Sequence, residues 1–232
     1  DDAADFTPEV RDGARRTLEG LRLGPIFTPP SREGTVVMPG WTGGAGWGGA
    51  GYDPASRTVF IKASNLPTLA RLVPWTDAAG RASWRVDREA LVLTVRHGPG
   101  VGLPIARPPY GTLTAIDVAT GAHRWQVPVG DTPDVRRHPA LAGIDLPPLG
   151  GAGPAGTLVT AVGLVFVGGV PVLPAVRARD GAILWTGALS GGNRASPMTF
   201  RTRHGRQLVA VAAGAGTGAV LTVFALPRRA AR

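Results

Sequence analysis

AIDVATGAHRW, Ala115 to Trp125, is the stretch on which the reading of the whole chain turns. Asp117 stands two residues after Ala115, Thr120-Gly121 lies in the middle, and Trp125 follows four residues after the glycine. Each residue type has a physical use in that order. Asp117 can hydrogen-bond the backbone ahead of it and start a turn, and Gly121 takes the positive φ that other residues resist. Ala115 is small enough for a neighbouring sheet to approach. Trp125 then lies in the gap between two sheets, where an indole buries ~150–250 Å². Further on, AVRARDGAILW runs from Ala175 to Trp185 and keeps Ala, Gly and Trp in place, with Arg177 for Asp117 and Asp180 for Thr120. A hairpin of this kind seen twice points to a repeat of antiparallel meanders, and repeated meanders point to a propeller.

Composition sets the bounds. The 232 residues are 44% hydrophobic, enough for a packed core, and carry 34 Gly and 22 Pro. Those glycines and prolines are spread among apolar runs, which reads as turns between short strands rather than disorder. With no cysteine, disulfides and thiolate metal sites are excluded. No 18-residue apolar window is present, so no transmembrane span is expected. The opening DDAADFTPEV is acidic and polar, unlike a secretory signal. The lack of an initiating Met is read as a processed form or a fragment. The formal charge of +9 does not imply nucleic-acid binding. All the basic residues but Lys62 are Arg, scattered along the chain, and aromatics are only 6%. A nucleic-acid site needs a basic stripe with stacking aromatics.

Residues 8–22 are the helix candidate, with Val10, Ala14, Leu18 and Leu21 on one face and Gly24-Pro25 as the stop. TVVMPG at 35–40 reads as a short strand. The run at 43–51 is too Gly-rich for a regular element, and YDPASRTVFI reads as strand, Asp-Pro turn, strand. Residues 64–108 read as irregular apart from ALVLTV at 90–95, and 131–157 as a long Pro/Gly loop. From Thr157 onward strand follows strand, through TLVTAVGLVFVGG and PAVRARDGAILWTGAL to VLTVFALP at 220–227. The predicted organisation is a helix and connector over 1–30 and a propeller over 31–232.

At this point a family resemblance becomes visible. Ala115–Trp125 fits the tryptophan-docking pattern A-x-D-x-x-T-G-x-x-x-W of quinoprotein dehydrogenases that use pyrroloquinoline quinone (PQQ). FTPPSREGTVVMPG, GWGGAGYDP, NLPTLARLVP, GLPIARPPYGTLTAID, GDTPDVRRHPAL, LPPLGGAGPAGTLVTAVGLVFVGG, GGNRASPMTF and GRQLVAVAAG stand in the order of the glucose-dehydrogenase-like branch. The resemblance runs from about Thr7 to Pro227. It implies an all-β fold: a partial β-propeller of roughly four four-stranded blades, the C-terminal part of a propeller of roughly eight, with a short N-terminal helix.

The resemblance also implies a function. The chain is similar to the C-terminal part of a dehydrogenase that oxidises a sugar or alcohol and passes electrons to quinone. In that family PQQ sits over the central channel with Ca²⁺, and chemistry is base-assisted hydride transfer to the polarised quinone. The catalytic Asp, the main Ca²⁺ carboxylate and the Trp beneath the quinone belong to the part upstream of the match. No catalytic or metal residue is therefore expected here, and activity is not expected from this chain alone. The implied partners are substrate, a quinone or other electron acceptor, and an N-terminal half or a second copy. The implied location is the periplasm or the periplasmic side of a membrane. A non-enzymatic propeller scaffold built from the same repeat is the alternative.

Five residues are candidates for touching the cofactor. The family has an Asn near the end of the strand after the Asp-Pro turn; residue matching puts Lys62 there, with Asn65 three further on. A lysine ammonium can hydrogen-bond a quinone or carboxylate oxygen of PQQ, or it can simply be solvated at a strand end. Gly214, Gly216 and Gly218 form a loop that in the family approaches the cofactor edge, although here it is shorter; a plain β-turn is the other reading. Trp47 matches a family Trp and is expected to pack in the core. His97, His123, His138 and His204 have no metal-ligand spacing, and His123 is expected to be exposed.

Overall fold

The structure is a computed structural model that describes residues 2–41, 43–87, 92–168, 172–192 and 195–226. Helix α1 (Pro8–Leu18) is followed by strands β1 (Thr35–Val37), β2 (Gly44–Ala45), β3 (Gly51–Asp53) and β4 (Thr58–Ser64). Then come β5 (Thr68–Thr76), β6 (Ala82–Asp87), β7 (Gly111–Asp117) and β8 (His123–Pro128), and a one-turn helix α2 (Pro133–Arg136). The chain continues with β9 (Thr157–Val159), β10 (Leu164–Val167), β11 (Val172–Arg177), β12 (Ile183–Ala188), β13 (Met198–Arg201), β14 (Gln207–Ala213) and β15 (Val220–Ala225). They form four antiparallel sheets, ordered β1-β5-β6, β2-β4-β7-β8 with β3 also on β4, β9-β10-β11-β12, and β13-β14-β15. The all-β expectation holds.

The chain divides into two compact units. One comprises the residues up to Gly44, Asn65–Pro108 and Pro133–Pro147; the other comprises Ala45–Ser64, Pro109–Thr132 and the chain from Pro148.

In the first unit, Thr7 caps α1 by accepting the Val10 N–H at 3.2 Å. The helix is shorter than its sequence pattern implies. It ends at Leu18, and Gly20 leaves at φ 75° before the Gly24-Pro25 stop is reached. Its buried face is Val10, Gly13, Ala14 and Thr17, rather than a face running on to Leu18 and Leu21. Gly13 belongs there because a Cβ would collide with the His97 carbonyl. The expectation that 64–108 is irregular is wrong. β5 and β6 form a regular hairpin from Arg71↔Asp87 to Thr76↔Ala82, closed by Asp77, whose carboxylate accepts the Ala79 and Arg81 N–H groups. No alternation betrays it, because four of the six β6 residues in a row are exposed, so neither face carries an apolar set. The strand candidate at 90–95 falls partly outside the described residues. Within 92–95 the chain makes only a bridge, Thr94↔Pro104, with Leu93 and Val95 buried. The Pro/Gly loop of 131–157 also contains α2 and a 3₁₀ turn at Pro139–Leu141.

In the second unit the two related hairpins are β7–β8 and β11–β12. Ala115 pairs with Trp125 and Ala175 with Trp185, and each ladder has its irregularity right after the alanine. In both, the glycine takes positive φ, 72° at Gly121 and 78° at Gly181. The turn chemistry is charge-swapped. Asp117 accepts the Ala119 and Thr120 N–H groups at 2.8 and 3.2 Å and the Arg124 guanidinium at 2.5 Å. In the second copy Arg177 donates to Asp180 at 2.8 Å, and Asp180 accepts the Ala182 N–H at 3.2 Å. Hydrogen bonding from Arg124 holds the Asp117 carboxyl below its ordinary range, and Arg177 holds Asp180 down to about 2.

Trp125 spans from the first sheet to the second. Its indole N–H donates to the Ala178 carbonyl at 3.0 Å, and its ring lies 5.7 Å from Phe60. It also lies against Gly181, where an added Cβ would come 3.0 Å from the ring. Phe60, Leu113 and Ala115 thus share a core with Val165, Val167 and Val176. Phe166, Leu173 and Ala175 share the next one with Val211, Val209 and Phe224. There Trp185 meets Phe224 edge-on at 5.0 Å. The third sheet repeats the ladder a third time: Phe60↔Ala115 and Phe166↔Ala175 become Ala210↔Val223. Leu113 and Leu173 are fully buried, but the corresponding Leu221 is 66% exposed.

Candidate functional site

β4 alternates strictly, with Thr58, Phe60, Lys62 and Ser64 all on its buried face. Lys62, the only lysine, is 1% exposed, so it is not a solvated strand end. Its stem shares that face with Phe60, and Leu113 is its neighbour across the ladder. Its ammonium donates to the Ser64 Oγ at 3.2 Å and closely to the Gly153 carbonyl. Gly153 is tied in from the other side, its N–H donating to the same Ser64 Oγ at 3.0 Å. Among the described residues no carboxylate pairs with the ammonium. Burial without a counter-ion favours the neutral amine and lowers the Lys62 pKa to about 8.

Asn65 is the half-buried residue after β4. The glycine loop follows β14: Gly214, at φ 92°, donates to the Gly192 carbonyl at 2.9 Å, and Gly216–Gly218 form one 3₁₀ turn. The loop is exposed, and a Cβ at Gly216 or Gly218 would meet open space. It shares no hydrogen bond with Lys62. Trp47, between Gly46 and Gly48, is 76% exposed and does not pack in the core. His123 is exposed.

Three residues that the motifs did not single out belong to the site region. Ser64 was legible in principle, as it stands two residues after Lys62 on an alternating strand. Gly153 carries no signal within a Pro/Gly stretch. Tyr110, just before β7, is fully buried with no partner for its hydroxyl among the described residues, and burial raises its pKa.

Residues 1–209 match the family described as PQQ: glucose/ethanol/alcohol dehydrogenase, β-propeller domain. The chain belongs to that family. The cofactor of the family is PQQ. Over 235 residues the chain is 31% identical to quinoprotein glucose dehydrogenase A of Acinetobacter calcoaceticus, which covers 92% of this chain and 28% of the relative. It is 29% identical over 225 residues to the quinate/shikimate dehydrogenase (quinone) of Acinetobacter baylyi, covering 90% and 28%. The glycerol dehydrogenase large subunit of Gluconobacter thailandicus is 31% identical over 232 residues, covering 87% and 31%. The chain therefore spans less than a third of the length of these relatives. Among solved structures, the quinohemoprotein alcohol dehydrogenase of Pseudomonas putida HK5 shares the fold, with TM-score 0.54 and 22% identity over 79% of this chain and 24% of that one.

The donor set of Lys62 is of a kind that suits PQQ. An ammonium has three donors, and among the described residues its acceptors are the Ser64 hydroxyl and the Gly153 carbonyl, so one N–H would remain for a carboxylate or quinone oxygen. The Gly153 carbonyl itself occupies an acceptor position of the kind such an oxygen would take. Ca²⁺ is a different matter. It wants six to eight oxygen ligands, and the described residues hold no group of three His, Asp or Glu side chains. They do not fit the ion.

Proposed function

We propose that this chain supplies part of the PQQ pocket of a dehydrogenase that oxidises a sugar or an alcohol. The observation that carries the reading is Lys62. A buried cation with no counter-ion among the described residues costs stability, and titratable groups perturbed in this way cluster at functional sites. PQQ, an anionic quinone with three carboxylates, has that charge. Lys62 would hold one of its oxygens, with Asn65 and the Gly214–Gly218 backbone as further contacts at the cofactor edge. When bound, PQQ accepts the hydride; the residues of this chain bind and orient it. The base and the Ca²⁺ ligands would come from the upstream part of the family fold, so that this chain alone is inactive. The indole of Trp125 would then act as a blade-docking tryptophan.

The exposed face of the β13-β14-β15 sheet supports a partner. At each junction inside the unit the corresponding face is covered by the next sheet, so we infer that an N-terminal portion or a second copy covers this one. A periplasmic site of action, at or near the membrane, accords with the quinone in the name of one relative. No helix among the described residues is long and apolar enough to cross a membrane. The test is complementation: adding the upstream portion of a relative to the folded chain should restore dye-linked sugar or alcohol oxidation. No recovery from a folded complex counts against the reading.

A second reading is a propeller scaffold without cofactor. It is favoured by the Gly153 carbonyl, which already holds the Lys62 ammonium. PQQ binding separates the two.

A further inference from the structure

Lys62 and Ser64 are i and i+2 on β4, so the strand itself aims both side chains at one spot. Ser64 is 2% exposed, and among the described residues its hydroxyl is the side-chain group that the Lys62 ammonium donates to. The same oxygen accepts the Gly153 N–H, while the Gly153 carbonyl accepts from Lys62. One hydroxyl thus joins the ammonium to the backbone of the 148–156 segment. A lysine stem has four rotatable bonds, and a buried ammonium without such an anchor either neutralises or turns away.

We propose that Ser64 is the positioning residue of the Lys62 site: its hydroxyl, with the Gly153 backbone, keeps the lysine charged and fixed in place for an anionic ligand. The proposal rests on the reading of Lys62 as the cofactor contact. Ser64 itself would touch neither cofactor nor substrate. Among the described residues of the strands around it, the ionisable groups lie elsewhere. The 148–156 segment contains none. On β7 the acid is Asp117, opposite Thr58 at the far end of the ladder and bound to Arg124. On β3, Asp53 also lies at the Thr58 end and accepts from Ser56. Tyr52 on β3 is 49% exposed, Tyr110 is a neutral phenol, and β9 carries no ionisable side chain.

Because the chain has one lysine, ¹³C-lysine labelling gives a single Cε resonance that reports Lys62 protonation directly. Ser64→Ala should move its midpoint down by about one pH unit, the size of one lost hydrogen bond to a charge. Ser64→Thr, which keeps the hydroxyl, should restore most of it. In the unsubstituted chain the Gly153 amide should titrate with the same midpoint, since both groups share the Ser64 oxygen; this readout serves even if the alanine variant does not fold. An unchanged midpoint in folded Ser64→Ala, or a Gly153 amide that does not follow Lys62, overturns the proposal. Adding PQQ to the same sample tests the underlying reading separately. A Cε signal that ignores PQQ but responds to Ser64→Ala would sink the cofactor contact and leave the positioning role standing.

Discussion

Replacing Lys62 with methionine should make the protein more stable and remove a specific pH dependence. The Lys62 pKa falls from 10.5 to about 8 through burial. At 1.36 kcal/mol per unit, the charged form is disfavoured by about 3 kcal/mol in the fold. The sign follows from linkage. Between about pH 8 and 10.5 the unfolded chain holds the proton and the folded chain does not, so stability rises with pH across that window. Below pH 8 both states are charged and the whole penalty is present. Tyr110 acts in the opposite direction only above about pH 10, where the unfolded phenol ionises and the buried one does not. From pH 7.5 to 9.5 the unfolding free energy should therefore increase by about 2 kcal/mol, roughly 1 M in urea midpoint. Lys62→Met should be flat over the same range. At pH 7.5 it should gain about 2 kcal/mol, the removed penalty less about 1 kcal/mol for the lost hydrogen bond to Gly153. Urea unfolding followed by tryptophan fluorescence at the two pH values measures both. A pH slope that persists in Lys62→Met, or a wild type without one, refutes the reasoning.

Other predictions follow from the sheet junctions. Gly121→Ala and Gly181→Ala impose the same positive φ on an alanine, about 1 kcal/mol each. A Cβ meets nothing at Gly121 but lies 2.8 Å from Val127 and 3.0 Å from Trp125 at Gly181. Gly181→Ala should thus be the more destabilising in urea, and equal costs would mean that Trp125 does not lie on this turn in solution. Trp125→Ala should cost about 3–5 kcal/mol, while Trp125→Phe should lose mainly the 3.0 Å bond to Ala178, about 1 kcal/mol; comparable losses would show that packing is not the larger part. The isolated chain should self-associate in sedimentation through the face that exposes Met198, Leu221 and Val223, and Leu221→Glu should weaken this. A concentration-independent monomer would contradict that face being a docking surface.

What was legible in the sequence was whatever had a local physical cause. The Ala–Gly–Trp hairpins were readable because a positive-φ turn and a flat indole impose their own spacing. The β5–β6 hairpin was not, because its outer strand turns exposed residues to both sides and its inner strand contains Pro74, so no period of two survives. Helix α1 was placed correctly but run on too far, since Gly20 ends it before the more conspicuous Gly-Pro. At the candidate site Lys62 stood out as the only lysine, yet the carbonyl that its ammonium meets, Gly153, is 91 residues away. Trp47 shows the reverse error: a matched aromatic was expected in the core, and it lies on the surface.

The most direct measurement is a PQQ titration of the folded chain with Ca²⁺ present, followed by quenching of its six tryptophans, beside the same titration of Lys62→Met. Saturable quenching at micromolar PQQ, weakened ~10-fold or more in the variant, the equivalent of about 1.4 kcal/mol, is the result expected if Lys62 belongs to the cofactor pocket. No quenching from a folded wild-type chain, or equal binding by both, would contradict that claim and favour the scaffold.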